Sequence, residues 1–182
     1  MQKILIAGLI FTLAACNSED KKEPEAKTAA ATETAASLPY SATYSSKFEI
    51  GDAKNAENVL AAWKAWDDGN LTTARKLFAD TMRFYLRDGS EMHGQTDSTL
   101  AGAQAFRNSF ASVKSTVHAY MPLKSTDKNE NWVCIWGVEV STDKNGKVDS
   151  VHLQETWRFN KDGKLDLVYQ FGRALVPAPM PK

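Results

Sequence analysis

An α+β layer, with helices gathered on one face of a curved antiparallel sheet, is what this 182-residue sequence predicts. Two observations carry the prediction. From Val59 to Phe78 and from Leu100 to Val113 apolar residues recur at intervals of three and four, the helical period, whereas from Met82 to Leu86 and from Val117 to Phe171 they alternate, the strand period. Glycine-bearing turns such as Asp88-Gly89, Asn145-Gly146 and Asp162-Gly163 separate the alternating runs, which marks them as hairpins.

The first 15 residues stand outside the fold. Met1-Gln2-Lys3 is a short positive start, Ile4 to Ala15 is apolar, and Leu13-Ala14-Ala15-Cys16 closes the run with small residues. The run is about half of the roughly 20 residues a membrane-spanning helix needs, so it reads as a signal peptide. Its end resembles the lipobox of bacterial lipoproteins, which implies cleavage before Cys16 and lipidation of its thiol, with an ordinary secretory signal as the plainer alternative. Residues 16–37 hold no large apolar side chain, so they cannot offset their ordering entropy by burial and form a tether. Ser18-Glu19-Asp20 resembles the acidic export signal of Bacteroidota surface lipoproteins. The expected address is therefore the outer membrane, anchored by palmitate-type acyl chains, on either side.

Residues 38–175 make one domain, beginning with an irregular lead-in from Leu38 to Ile50. Val59, Trp63 and Trp66 form a helical stripe that Gly69 stops. A shorter helix follows through Leu71, Ala74, Leu77 and Phe78. Met82, Phe84 and Leu86 alternate with Arg83, Tyr85 and Arg87 before the Asp88-Gly89 turn, and a short return strand carries Met92 and His93. Asp97 or Ser98 caps a third helix bearing Leu100, Ala103, Phe106, Phe110 and Val113, and Val117 to Leu123 is a strand. After Leu175 the proline-rich residues 176–182 fray.

The stretch from Asn131 to Phe171 reads as three consecutive strands. A two-residue turn at Asn145-Gly146 sets Trp136 opposite Glu155, Cys134 opposite Trp157 and Trp132 opposite Phe159, which collects apolar residues on one face. On the other face Glu139 meets His152. A three-residue loop before Lys164, with Gly163 left-handed, then sets Phe159 against Leu165, Trp157 against Leu167 and Glu155 against Tyr169. Glu155 is thereby flanked by Trp136 and Tyr169 in apolar company. Burial there would raise its pKa and suit it to general acid–base work, with Tyr169 as hydrogen-bond donor. The alternative is a carboxylate satisfied by its neighbours that fixes strand order only.

From about Asn55 to Leu175 the chain resembles the NTF2-like superfamily in its SnoaL-like branch. The resemblance lies in the Trp63 to Gly69 helix end, Asp88-Gly89, Gly94 before the third helix, and Trp157-Arg158-Phe159 through Asp162-Gly163-Lys164-Leu165. It implies a cone in which the concave sheet face and first helix enclose a pocket, with Tyr85 and His93 near its mouth, and a homodimer through the outer sheet face. Some members are polyketide-cyclase-like or ketosteroid-isomerase-like enzymes and others only bind. The isomerase pattern of paired acids with a helix Tyr is not matched, since the first helix offers Trp63 and Trp66.

With 22 basic and 22 acidic residues and no basic cluster, a nucleic-acid role is not indicated. Besides Cys16 there is only Cys134, and His93, His118 and His152 lack metal-ligand spacing, so no disulfide, metal or cofactor is expected. The favoured expectation is a lipid-anchored envelope protein binding a small apolar ligand or a partner, without catalysis, in a pocket lined by Trp63, Trp66, Tyr85, Trp136 and Trp157. An isomerase- or lyase-type enzyme using Glu155 and Tyr169 is the alternative, and a purely structural protein the third.

Overall fold

The computed structural model describes residues 38–175, so the leader, the tether with Cys16 and the proline-rich tail lie outside the described residues. A compact unit begins at Ser41. Its core is a seven-stranded sheet: β1 (Phe48–Ile50), β2 (Phe78–Tyr85), β3 (Glu91–Gln95), β4 (Phe110–Ser125), β5 (Glu130–Asp143), β6 (Val148–Phe159) and β7 (Leu165–Ala174). The spatial order is β1-β4-β5-β6-β7-β2-β3. Helices α1 (Ala53–Asp67) and α2 (Thr96–Arg107), with a 3₁₀ segment at Leu71–Leu77, supply the second layer of the expected α+β fold. Among the described residues no helix is long and apolar enough to cross a membrane.

Several elements differ from expectation, each for a local reason. The lead-in contributes β1, whose Phe48 pairs with Ser125 at the far end of β4. The second helix is a single 3₁₀ segment that ends before Phe78, the first residue of β2. The sheet is mixed, because β2 runs parallel to β7. The third helix stops at Arg107, so Phe110 and Val113 belong to β4. Its cap is Gln95, whose side chain makes no capping bond. Thr96 instead turns its hydroxyl to the Ala79 carbonyl at 2.6 Å, which ties the helix start to β2.

The register of the meander is the consequential correction. Asp143-Lys144-Asn145-Gly146-Lys147 closes as a three-residue loop: the Asp143 carboxylate accepts the Asn145 and Lys147 amides at 2.8 and 2.9 Å, and Gly146 is left-handed at φ 83°. That aspartate-stabilised turn outcompetes the two-residue type I′ form. Every β5–β6 pair moves by one residue, so Glu155 faces Ile135, Trp157 faces Val133 and Glu139 faces Val151. The loop with Gly163 forms as expected at φ 72°, with Phe159 against Leu165. A bulge follows at once, setting Arg158 against Leu167. Asp166 accepts both arms of the Arg158 guanidinium at 3.0 Å, a bidentate clamp beside the bulge. Beyond it Glu155 faces Gln170, and Tyr169 turns to the other side.

Two successive one-residue shifts leave β6 as expected, with Val151, Leu153, Glu155, Trp157 and Phe159 all buried. The concave contribution of β5 becomes Val133, Ile135, Gly137 and Glu139. Gly137 is required there: a Cβ would lie 2.6 Å from the Thr116 carbonyl oxygen and 3.0 Å from the Trp63 ring. The bare backbone lets the indole of α1 settle on the sheet.

Candidate functional site: an indole-lined cavity with two carboxylates

Helix α1 delivers Trp63 and Trp66 to the concave face from a framework fixed at both ends. Asp52 caps the start, accepting the Lys54 amide at 2.8 Å. At the other end the buried Arg107 donates to the Trp66 and Asp67 carbonyls, both at 2.7 Å, satisfying two acceptors of the helix's last turn. Gly69, left-handed at φ 68°, stops the helix as the sequence predicts. The Asp67 carboxylate accepts the Ser115 amide and hydroxyl at 2.8 Å, pinning the helix end to β4.

Between α1, α2 and the sheet lies a cavity of about 460 Å³ whose wall includes Trp63, Trp66, Phe84, Phe106, Trp157 and Leu100. Its size is within the range of small-molecule sites. Glu155 stands in this wall at 6 % exposure. One of its oxygens, Oε2, accepts the Trp63 indole N–H at 2.6 Å and the Trp157 indole N–H at 2.9 Å. Oε1 accepts the Gln170 amide at 2.7 Å. Burial pushes the carboxyl pKa up, against these three neutral donors, and the nearby Glu139 charge pushes the same way.

Glu139 is the second acid of the wall. The Trp66 indole N–H donates to its Oε2 at 2.7 Å. Burial raises this pKa too, opposed by the Trp66 bond and the Arg87 charge. Among the described residues Oε1 of Glu139 accepts from no protein group. Arg87, Asp88, Ser90 and Met92 complete one part of the wall, around the β2–β3 turn.

The named candidates thus divide. Trp63, Trp66, Trp157 and Glu155 share the cavity. Trp136 lies on the opposite sheet face, in a shallow groove with His118, His152 and Phe171. Tyr169 and Tyr85 also face away, stacked on each other with ring centres 4.9 Å apart and planes 10° apart. Arg83 donates to the Tyr85 hydroxyl at 3.1 Å. Gln170 occupies the place beside Glu155 where Tyr169 was expected, because of the bulge at Asp166. Cys134 is half-buried on the outer face, its sulfur 3.7 Å from the Thr156 hydroxyl. Among the described residues no group of three acidic, His or Cys side chains could hold a metal ion.

Sequence reasoning missed Gln170 and, with more consequence, Glu139, which was set on the outer face opposite His152. A signal existed. Asp143-Lys-Asn-Gly-Lys147 repeats the pattern of Asn160-Lys-Asp-Gly-Lys164, and giving both the same three-residue loop puts Glu139 on the concave face.

No protein-family model matches the chain, and neither does any curated protein. Solved structures do. An NTF2-like protein of unknown function from Exiguobacterium sp. 255-15 superposes with a TM-score of 0.53 at 16 % identity, over 64 % of this chain and 98 % of that one. A candidate SnoaL-like polyketide cyclase from Shewanella denitrificans OS-217 gives 0.55 at 14 % identity, over 67 % and 92 %. SalBIII, an epoxide hydrolase/cyclase-like enzyme in pyran ring formation of the polyether salinomycin, gives 0.52 at 15 % identity, over 66 % and 92 %.

Proposed function

We propose that this NTF2-like, SnoaL-like fold serves as a binding module that holds a small, mainly apolar molecule in the indole-lined cavity without turning it over. The observation that carries the reading is that both oxygens of Glu155 are already engaged. Its two oxygens already accept three protein donors. Proton abstraction by this group would weaken two buried hydrogen bonds and a part-buried one at the moment of reaction, whereas a fixed carboxylate that orients Trp63 and Trp157 shapes a wall. Tyr169, the expected donor, lies outside the cavity.

Lipid anchoring at Cys16 in the outer membrane belongs to the same proposal and rests on Leu13-Ala14-Ala15-Cys16 and the tether after it. Radiolabelled palmitate should enter the wild-type protein and not Cys16→Ala; an unlabelled wild type would end the anchoring proposal. For the cavity, native mass spectrometry of the full chain should find a co-purifying apolar species on wild type and on Glu155→Gln. Ala103→Phe, which fills the cavity, should lose it. A species held equally well by Ala103→Phe would place binding elsewhere and refute the reading.

One observation favours a catalytic alternative: Glu139 has a free oxygen at the cavity and a raised pKa. In an isomerase- or lyase-type enzyme Glu139, rather than Glu155, is then the proton acceptor. Such an enzyme would lose turnover in Glu139→Gln while still binding its substrate.

A further inference from the structure

Taking the cavity as a ligand site, as proposed above, we infer that it selects a protonated amine carried on an apolar body, with the ammonium at Glu139 and the hydrocarbon among the rings. The polar inventory of the wall points this way. The indole N–H groups of Trp63, Trp66 and Trp157 all donate to wall carboxylates. Gln170 donates to Glu155 as well. The Ser115 hydroxyl is committed to Asp67 and the Ser90 hydroxyl to Asp88. These side chains bring their donors to the site already engaged; what stays open on the wall is an acceptor, Oε1 of the half-buried Glu139, and the guanidinium of Arg87 by the β2–β3 turn.

Charge agrees with the hydrogen-bond count. Arg87 is the one basic side chain on the wall among the described residues, against Glu139, Glu155 and Asp88. No ion pair at 4.0 Å or less joins Arg87 to any of them among the described residues, so Glu139 is not neutralised by contact. An anionic ligand would meet three wall carboxyl groups against one guanidinium, and a neutral acceptor would find its uncommitted donors on Arg87. A cation with N–H groups supplies both the missing donor and the missing charge. With their N–H edges spent on carboxylates, the indoles present carbon to the ligand, and aromatic carbon is favourable beside a desolvated ammonium.

The test is a series with one phenethyl body and different head-group charge: phenethylamine, phenethyl alcohol and hydrocinnamate, titrated calorimetrically into the full-length protein at neutral pH. The amine should bind about tenfold or more tighter than the alcohol, and the carboxylate weakest. Glu139→Gln, which keeps shape and the Trp66 partner, should reduce the amine to the affinity of the alcohol, and circular dichroism would verify that this variant folds. Equal affinities for amine and alcohol, or an amine preference untouched by Glu139→Gln, would overturn the inference and leave the apolar pocket standing. If none of the three binds, the amine assignment fails, and the mass-spectrometric comparison of Ala103→Phe decides the pocket by itself.

Discussion

Replacing Glu155 separates the two things its carboxylate does, accept hydrogen bonds and carry charge. In Glu155→Leu the Trp63 and Trp157 indole N–H groups lose their common acceptor at 2.6 and 2.9 Å, and both rings are held by packing against turning to water. A buried donor left without a partner costs about 1–3 kcal/mol, so the two indoles cost about 2–6 kcal/mol, offset in part by relief of carboxylate burial. Glu155→Gln keeps a carbonyl oxygen for the indoles. Its new amide can donate to Gln170 once that side chain flips, so the loss should stay near 1 kcal/mol.

The two variants also differ from wild type in pH response. Burial raises the Glu155 pKa, so the folded chain keeps this proton to higher pH than the unfolded chain does. Stability from the protonated form is therefore fully present below the ordinary carboxylate value of about 4.3, and it is lost as pH rises toward the folded pKa. The deficit of Glu155→Gln relative to wild type should accordingly be larger at pH 5 than at pH 8 (test conditions spanning the roughly 4.3 reference upward). Urea unfolding followed by tryptophan fluorescence at both pH values measures this. A Leu variant as stable as the Gln variant, or a Gln deficit independent of pH, would refute the account of Glu155 as a buried carboxyl engaged by three donors.

Other positions give simpler expectations. Gly137→Ala forces a methyl against the Thr116 carbonyl and the Trp63 ring, and should cost about 1–3 kcal/mol while shifting the near-ultraviolet circular dichroism of the indoles. Arg107→Lys cannot reach the Trp66 and Asp67 carbonyls with one fork, and should lower stability by about 1.5–3 kcal/mol, read as an earlier urea midpoint. Tyr169→Phe keeps the stack on Tyr85 and lies outside the cavity. It should change stability by less than about 0.5 kcal/mol and leave amine binding as in wild type; a loss of binding would bring Tyr169 back to the site.

The sequence by itself determined the kinds of element and the concave face of β6. Val151 to Phe159 alternates so regularly that no neighbour could reverse it, and Glu155 and Trp157 were placed correctly as inward-facing. The α1 stripe was equally plain, since Trp63 and Trp66 have no other face to bury. In β5 the run Trp132 to Val140 is apolar at nearly every position except Gly137 and Glu139, because both faces of that central strand are covered at least in part. Alternation then carries little information, and the register hung on a turn.

Only the tertiary structure decided that turn and the bulge after the next one. The Asp143 carboxylate closed a three-residue loop, and the Arg158 clamp on Asp166 accompanied an extra residue in β7. Because side chains change face with every residue, each one-residue shift exchanged an entire set of neighbours. It put Glu139 and Gln170 into the cavity and Trp136 and Tyr169 outside. The fold survives such exchanges, since either face of these strands offers enough apolar surface to pack. The chemistry of the site does not, because a hydrogen bond depends on which single side chain is within 3 Å of a carboxylate.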